Sequence, residues 1–243
     1  MSGLVRTARG AGFTHVELCE PARRNPLSTR MLGEVRDALD AHAGTNAVIL
    51  SGADGVFSAG ADLRELEGTA ADRAIDDAIA ATVERVRRAG ALTIAAVEGA
   101  CVGAAVDLAL ACHLIVAGEG ATFAVPAARL GILYNPDAVA RWHARLPRAT
   151  VVRLLLVGEW MDAATARDGG VVTEVVSAGA AVARATEIAG ALADLDRRVV
   201  EATTGVLADL DGGVGLGRWE DARRELLTST ARREALHRAR ERR

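Results

Sequence analysis

The chain has no lysine and no glutamine; all 29 of its basic residues are arginine. With alanine, glycine and valine abundant, this is the imprint of GC-rich coding and says more about the source than about mechanism. Cysteine is sparse. Cys19, Cys101 and Cys112 fit no zinc or CxxC spacing, and a disulfide scaffold would need more of them, so the expected compartment is a reducing cytoplasm. No apolar run reaches the roughly 20 residues of a membrane span, and the opening MSGLVRTARGAGF has no apolar signal core. The five histidines, at 15, 42, 113, 143 and 237, form no HxxxH-type pair, so no metal site is expected. Positive charge is not in excess either: a net charge of −3 argues against a dedicated nucleic-acid binder.

The 243 residues, half of them hydrophobic and a quarter charged, suffice for one large core or a core with a satellite. Residues 3–9 and 13–19 read as two short strands about a Gly-Ala-Gly turn. The loop EPARRNPLS carries two prolines, and Ser28 can cap a helix with Met31, Leu32, Val35 and Leu39 on one side. AVILSG, LTIAAVEG and HLIVAG read as buried strands, residues 71–89 as a long helix, and CVGAAVDLALAC (101–112) as another. Alternating strands and helices with continuous apolar strands predict an α/β fold with a buried parallel sheet. Beyond about residue 136 the pattern is helical, apart from a short strand at TEVVS (173–177). The arginine-rich end reads as a solvated helix terminus. GGVGLG (212–217) lacks GxGxxG spacing and follows a helix-like run, so it reads as a turn.

Two glycine-containing loops, FSAGADLREL (57–66) and GACVGAAVDLALAC (from Gly99), each follow a buried strand. Small residues there either let strand and helix pack tightly or let a ligand approach the backbone. A helix N-terminus offers free N–H groups, and two such sites face to face can hold one developing oxyanion. Within the second loop the acid Asp107 stands among Val106, Leu108 and Leu110. An unpaired buried carboxylate is costly, so it is either an acid favoured by the helix dipole or one whose raised pKa suits proton transfer.

VFSAGADLREL resembles the first signature of the crotonase superfamily, the enoyl-CoA hydratase/isomerase proteins, and AAVEGACVGAAVDLALACHLIVA resembles its second. FAVPAARLGI continues in register, and EPARRNPLS is similar to the family loop that reads RPxxxNAL. The four segments stand in the family's order and spacing, and the resemblance covers roughly residues 3 to 190. The resemblance implies a crotonase-like spiral of ββα units over residues 1–190 and a helical trimerisation region over 191–243. It implies an acyl-CoA thioester as partner, with coenzyme A part of the substrate and no separate cofactor. It also implies a homotrimer or a hexamer built as a dimer of trimers, with neither nucleic acid nor membrane as partner.

Carried over by position, the two backbone N–H groups that hold the thioester oxygen belong to Ala61 and Ala104, flanked by Gly60 and Gly103. Alanine at 104 replaces the usual glycine; the N–H survives and the β-carbon takes space. Asp107 falls where hydratases carry their first catalytic glutamate, one methylene longer. It lies three residues after Ala104, on the same helical face. The second glutamate is replaced by Ala127, which leaves water addition short of one acid–base group. Double-bond isomerisation needs a single shuttling acid and ranks with or above hydration.

Other branches of the family place an aspartate at the position of Asn135. Asp137, the second candidate for the catalytic acid beside Asp107, either lines the pocket or caps the helix that starts there. Tyr134, the single tyrosine, either offers its O–H to the site or packs. Arg24 sits where the family binds the coenzyme A nucleotide and is either a phosphate ligand or a solvated side chain. His113 reads as structural. The alternative function is a non-catalytic acyl-CoA-binding protein of the same fold.

Overall fold

The structure is a computed structural model describing residues 3–41 and 44–241; Met1, Ser2, His42, Ala43 and the last two arginines of the C-terminal run lie outside the described residues. β1 (Val5–Gly10) and β2 (Phe13–Leu18) are the two expected strands, antiparallel about a turn at Gly12. Gly12 has φ +77°, and a β-carbon there would sit 2.7 Å from the Ala193 Cα, so both space and conformation require glycine. Ser28 caps α1 (Thr29–Asp40), its Oγ accepting from the Met31 N–H at 3.1 Å. Met31, Leu32, Val35 and Leu39 are the buried stripe that their spacing predicts.

β3 (Ala47–Gly52), α2 (Arg73–Arg87), β4 (Leu92–Val97), β5 (Ala100–Val102), α3 (Ala104–Leu110), β6 (Leu114–Gly118) and β7 (Thr122–Ala124) follow. Next come α4 (Pro136–Arg145), α5 (Arg148–Val152), β8 (Met161–Asp162), α6 (Ala163–Asp168), β9 (Glu174–Val176) and α7 (Ala181–Gly190). The main sheet has the order β1-β2-β3-β4-β6-β9 and is parallel from β2 onward; β5-β7-β8 form a second, small sheet.

The main sheet is buried on both faces, which explains its continuous apolar strands. Val48, Leu50, Ala95, Val97, Ile115 and Ala117 join the large core shared with α1, α2 and α3. Ala47, Ile49, Ile94, Ala96 and Val116 face the other way and pack on Ala181, Ala185 and Ala189 of α7. One residue of register slip would exchange these two sets.

The segment 101–112 is not one helix, as its apolar pattern suggested. Cys101 and Val102 belong to β5, and α3 starts at Ala104. Gly103 makes the break: its φ of +58° and ψ of −121° turn the chain, and its N–H is satisfied by the Ala124 carbonyl at 2.8 Å. Apolar content could not separate strand from helix here; the glycine conformation does.

Asn25 pins the EPARRNPLS loop to the turn after β3. Fully buried, it donates through Nδ2 to the Ala53 carbonyl (3.1 Å) and the Val56 carbonyl (2.7 Å), and its Oδ1 accepts from the Glu20 N–H at 2.9 Å. Asn25→Ala strips partners from three backbone groups, so we expect a loss of about 2–3 kcal/mol, read as a shifted midpoint in urea denaturation. An unchanged midpoint would show that the loop is held by other contacts.

Beyond α7 the chain forms α8 (Arg197–Asp211), α9 (Trp219–Thr228) and α10 (Thr230–Glu241), so this region is helical as expected. Asp209 of α8 is fully buried and accepts from Arg218 at 2.6 and 2.7 Å, from Trp219 Nε1 at 2.8 Å, and from Arg88 of α2 at 3.3 Å. Burial of a carboxylate is tolerated when its oxygens are satisfied this fully. The contact staples the C-terminal helices to the core. The GGVGLG segment leaves α8 at Gly212 and turns at Gly213, φ +64°, in keeping with the turn reading. Among the described residues no helix is long and apolar enough to cross a membrane.

Candidate active site

The FSAGAD loop runs beside β5 as a parallel pair. Ser58 bridges Cys101: the Ser58 N–H donates to the Ala100 carbonyl at 3.0 Å and the Val102 N–H to the Ser58 carbonyl at 3.1 Å. Beyond that bridge the two chains stay close, since a β-carbon on Gly60 would lie 3.6 Å from the Ala104 nitrogen. Gly60 permits the approach, because a β-carbon there would lie 2.4 Å from the Val102 carbonyl oxygen.

Both alanine N–H groups are left over by the backbone pairing. Ala61 bridges Leu27, and in that parallel bridge the bonds run through its neighbours: the Leu27 N–H to the Gly60 carbonyl at 2.8 Å, the Asp62 N–H to the Leu27 carbonyl at 3.2 Å. The N–H of Ala61 itself points the other way. Ala104 is the first residue of α3, where backbone N–H groups have no partner within the helix. An N–H at a helix start can bind a negatively charged oxygen.

Asp107 lies one turn into α3 and is only 3 % exposed. Its partners come from α4. Arg141 Nη2 donates to both carboxylate oxygens at 3.2 Å, and Trp142 Nε1 donates to Oδ1 at 2.8 Å. Burial pushes the Asp107 carboxyl above its ordinary pKa; the Arg141 cation and the Trp142 and Arg141 hydrogen bonds oppose that shift without cancelling it. Oδ1 receives two donors and Oδ2 one, so Oδ2 keeps a lone pair free for a proton.

Tyr134 packs its ring on Trp142, centroids 5.1 Å apart, and its O–H faces the Gly103 carbonyl at 3.4 Å, beside Ala104. Burial holds the phenol well above its usual pKa, so it stays protonated. Of the two roles that the sequence allows it, packing is the one observed, with the O–H turned toward the Gly103 carbonyl.

The cap of α4 is Asn135, whose Oδ1 accepts from the Asp137 N–H (2.9 Å) and the Ala138 N–H (3.3 Å). Asp137, read as pocket acid or cap, is therefore not the cap, because the geometry favours an Asx side chain just before the Pro at the helix start. It is exposed in the first turn. Ala127 is buried in the large core just after β7. Arg24 is exposed, with φ +61°, and its carbonyl accepts from the Ala59 N–H at 2.9 Å, so its backbone braces the FSAGAD loop while its side chain is free to reach solvent. Its neighbour Arg23 instead pairs with Asp62 at 2.5 Å and Glu20 at 3.1 Å, fixing the same loop. His113 is structural as expected: its Nδ1 accepts from the Thr93 N–H at 3.0 Å.

A cavity of about 630 Å³ adjoins Asp107, Arg141 and Trp142 and runs between the C-terminal end of α3 and the inner face of α8; neither Ala61 nor Ala104 lines it. Arg141 and Trp142 were not found from sequence. A buried acid demands a partner, but with arginine the sole cationic side chain type, nothing in the pattern selects one.

These features have close relatives. The sequence model of the enoyl-CoA hydratase/isomerase family matches residues 8–238. A protein named "Probable enoyl-CoA hydratase" from Rhizobium meliloti is 33% identical over 178 residues, 72% of this chain and 68% of that protein. Of solved structures, an enoyl-CoA hydratase/isomerase family protein from Hyphomonas neptunium superposes with TM-score 0.84 at 31% identity, covering 92% of this chain and 88% of that one. An enoyl-CoA hydratase/carnithine racemase from Magnetospirillum magneticum superposes with TM-score 0.92 at 26% identity, covering 100% and 94%. The α/β core with its helical C-terminal region is thus the crotonase fold, and the chain belongs to the enoyl-CoA hydratase/isomerase family.

Proposed function

We propose that this protein is an enzyme acting on acyl-CoA thioesters, with the Ala61 and Ala104 N–H groups as oxyanion hole and Asp107 as proton carrier. The observation that supports the reading is the pairing of the two loops at Ser58–Cys101, with the buried Asp107 carboxylate one helical turn beyond Ala104. In isomerisation of a 3-enoyl-CoA, Asp107 Oδ2 takes a proton from C2. The C–H electrons pass into a dienolate whose oxygen is held by the two N–H groups, and the same acid returns the proton at C4. One carboxylate suffices for this, in keeping with alanine at 127, so isomerisation ranks with or above hydration. Coenzyme A is part of the substrate and no separate cofactor is required. The exposed Arg24 is a phosphate ligand for it.

The assembly is a homotrimer or a hexamer, with residues 191–243 as trimerisation region, in the cytoplasm. Support comes from Leu133, 86 % exposed, and from Leu130, Ile132, Leu156, Val157 and Trp160, all exposed on two segments tied together by Arg129 Nη2 and the Val157 carbonyl at 3.2 Å. Apolar patches of that kind mark association surfaces.

The second reading, a non-catalytic acyl-CoA binder, is favoured by the Arg141–Trp142 clamp, since an acid held by three donor contacts also serves a purely structural role. Crotonyl-CoA hydration and 3-enoyl-CoA isomerisation assays, beside calorimetric titration with acyl-CoA, separate the two. Turnover of either substrate is expected; tight binding with no turnover of any enoyl-CoA leaves the binder.

A further inference from the structure

Residue 127 carries no acid, and α2 brings another acid, Asp76, to the start of α4 beside Tyr134. α2 packs on α3. Asp76, Ile79 and Val83 share one side of α2 at i, i+3 and i+7, and Ile79 and Val83 belong to the side that joins the core. The buried stripe begins at Ile75, and Asp76 stands exposed at its edge. Its neighbour Asp77 faces outward, toward Arg73 at 3.7 Å.

The Asp76 carboxylate is tied to the residue that caps α4. Its Oδ2 accepts from Asn135 Nδ2 at 3.4 Å. Asn135 is fixed in turn, because its Oδ1 caps α4. The residue before it, Tyr134, faces the Gly103 carbonyl next to the Ala104 N–H. Burial is the main cause of the raised Asp107 and Tyr134 pKa values, and the negative charge of Asp76 adds to both. Asp76, Asp107 and Tyr134 thus share one electrostatic environment. Unlike Asp107, Asp76 is exposed and has no arginine clamp, which leaves it open to water.

We propose that Asp76 is the second proton-moving carboxylate of this site, supplied by α2 in place of the acid missing at 127, and that it gives the enzyme a hydratase activity. The proposal rests on the oxyanion-hole reading above. Asp76 takes a proton from water as the water oxygen bonds to C3 of a 2-enoyl-CoA. The C2=C3 π electrons pass through C2 to the thioester oxygen at Ala61 and Ala104. Protonated Asp107 then gives its proton to C2 as the enolate collapses. The product carries O–H on C3 and a new C–H on C2. The proton on Asp76 leaves to solvent and Asp107 is reprotonated from solvent, so atoms and charge balance.

The test compares wild type, Asp76→Asn and Asp107→Asn with crotonyl-CoA and a 3-enoyl-CoA. Asparagine keeps an oxygen for the Asn135 amide and sits on an exposed helix position, so folding is preserved. In Asp76→Asn the ratio of hydration kcat to isomerisation kcat is expected to fall by about 10²-fold or more. Its hydration KM should stay within about threefold. A ratio that stays put, whether both rates are kept or both fall together, overturns the proposal, as does a wild type that isomerises but does not hydrate. If Asp107→Asn is inactive while Asp76→Asn hydrates normally, the assignment of Asp76 fails and the oxyanion-hole reading stands. If wild type turns over neither substrate, that reading fails and takes this one with it.

Discussion

Asp107→Asn lowers enoyl-CoA turnover by about 10²- to 10⁴-fold, the usual contribution of a positioned acid–base group, and leaves acyl-CoA affinity within about threefold. The amide retains an oxygen for Trp142 Nε1 and for Arg141 but carries no transferable proton. Enoyl-CoA kinetics and calorimetry read the two effects separately; turnover retained within about twofold would remove Asp107 from the chemistry. Asp107→Ala is a different perturbation. It leaves Trp142 Nε1 and the Arg141 guanidinium without their acceptor, which costs about 3 kcal/mol because Arg141 keeps some solvent contact.

The same residue has a pH signature. Its pKa is raised in the folded protein, mainly by burial. The native state therefore binds more proton than the unfolded chain above the ordinary aspartate value, and stability falls as pH rises through the Asp107 titration. Thermal melts of wild type from about pH 4 upward should show a decline that Asp107→Asn lacks. A decline of equal slope in both would assign it to other groups.

Gly60→Ala is the second large effect. Gly60 has φ +92°, and a β-carbon would stand 2.4 Å from the Val102 carbonyl oxygen, a backbone atom that cannot rotate away. Strain at positive φ and displacement of β5 together cost about 3 kcal/mol, or about 6–12 °C in Tm for a chain of this size. Because β5 leads directly into Ala104, the two N–H groups separate, and acyl-CoA affinity should drop by about tenfold or more. Gly55→Ala supplies the control. Its φ is +69°, but nothing lies within 4 Å of the added carbon, so it bears conformational strain alone, about 1 kcal/mol. Equal losses in both variants would show that the close approach at Gly60 is not what holds the loops together.

Much of the molecule was legible without coordinates. The strand and helix patterns predicted the parallel sheet because both of its faces are buried, and burial on two faces writes itself as continuous apolar runs such as AVIL. Ser28 and its stripe were readable because capping and helical periodicity are local. The resemblance pointed to Ala61, Ala104 and Asp107 as site candidates and to alanine at 127 where the family carries a carboxylate. The break at Gly103 was hidden, since β5 and α3 are equally apolar and only a backbone dihedral divides them.

The sequence by itself thus determined the fold class, the two loops and the acid within the second, since each depends on residues near one another in the chain. Only the tertiary structure decided what surrounds that acid. Arg141 and Trp142 lie more than thirty residues from Asp107, and Asp76 approaches from an earlier helix. Such contacts are set by how α2, α3 and α4 pack, and packing depends on shape across the whole core rather than on any local pattern.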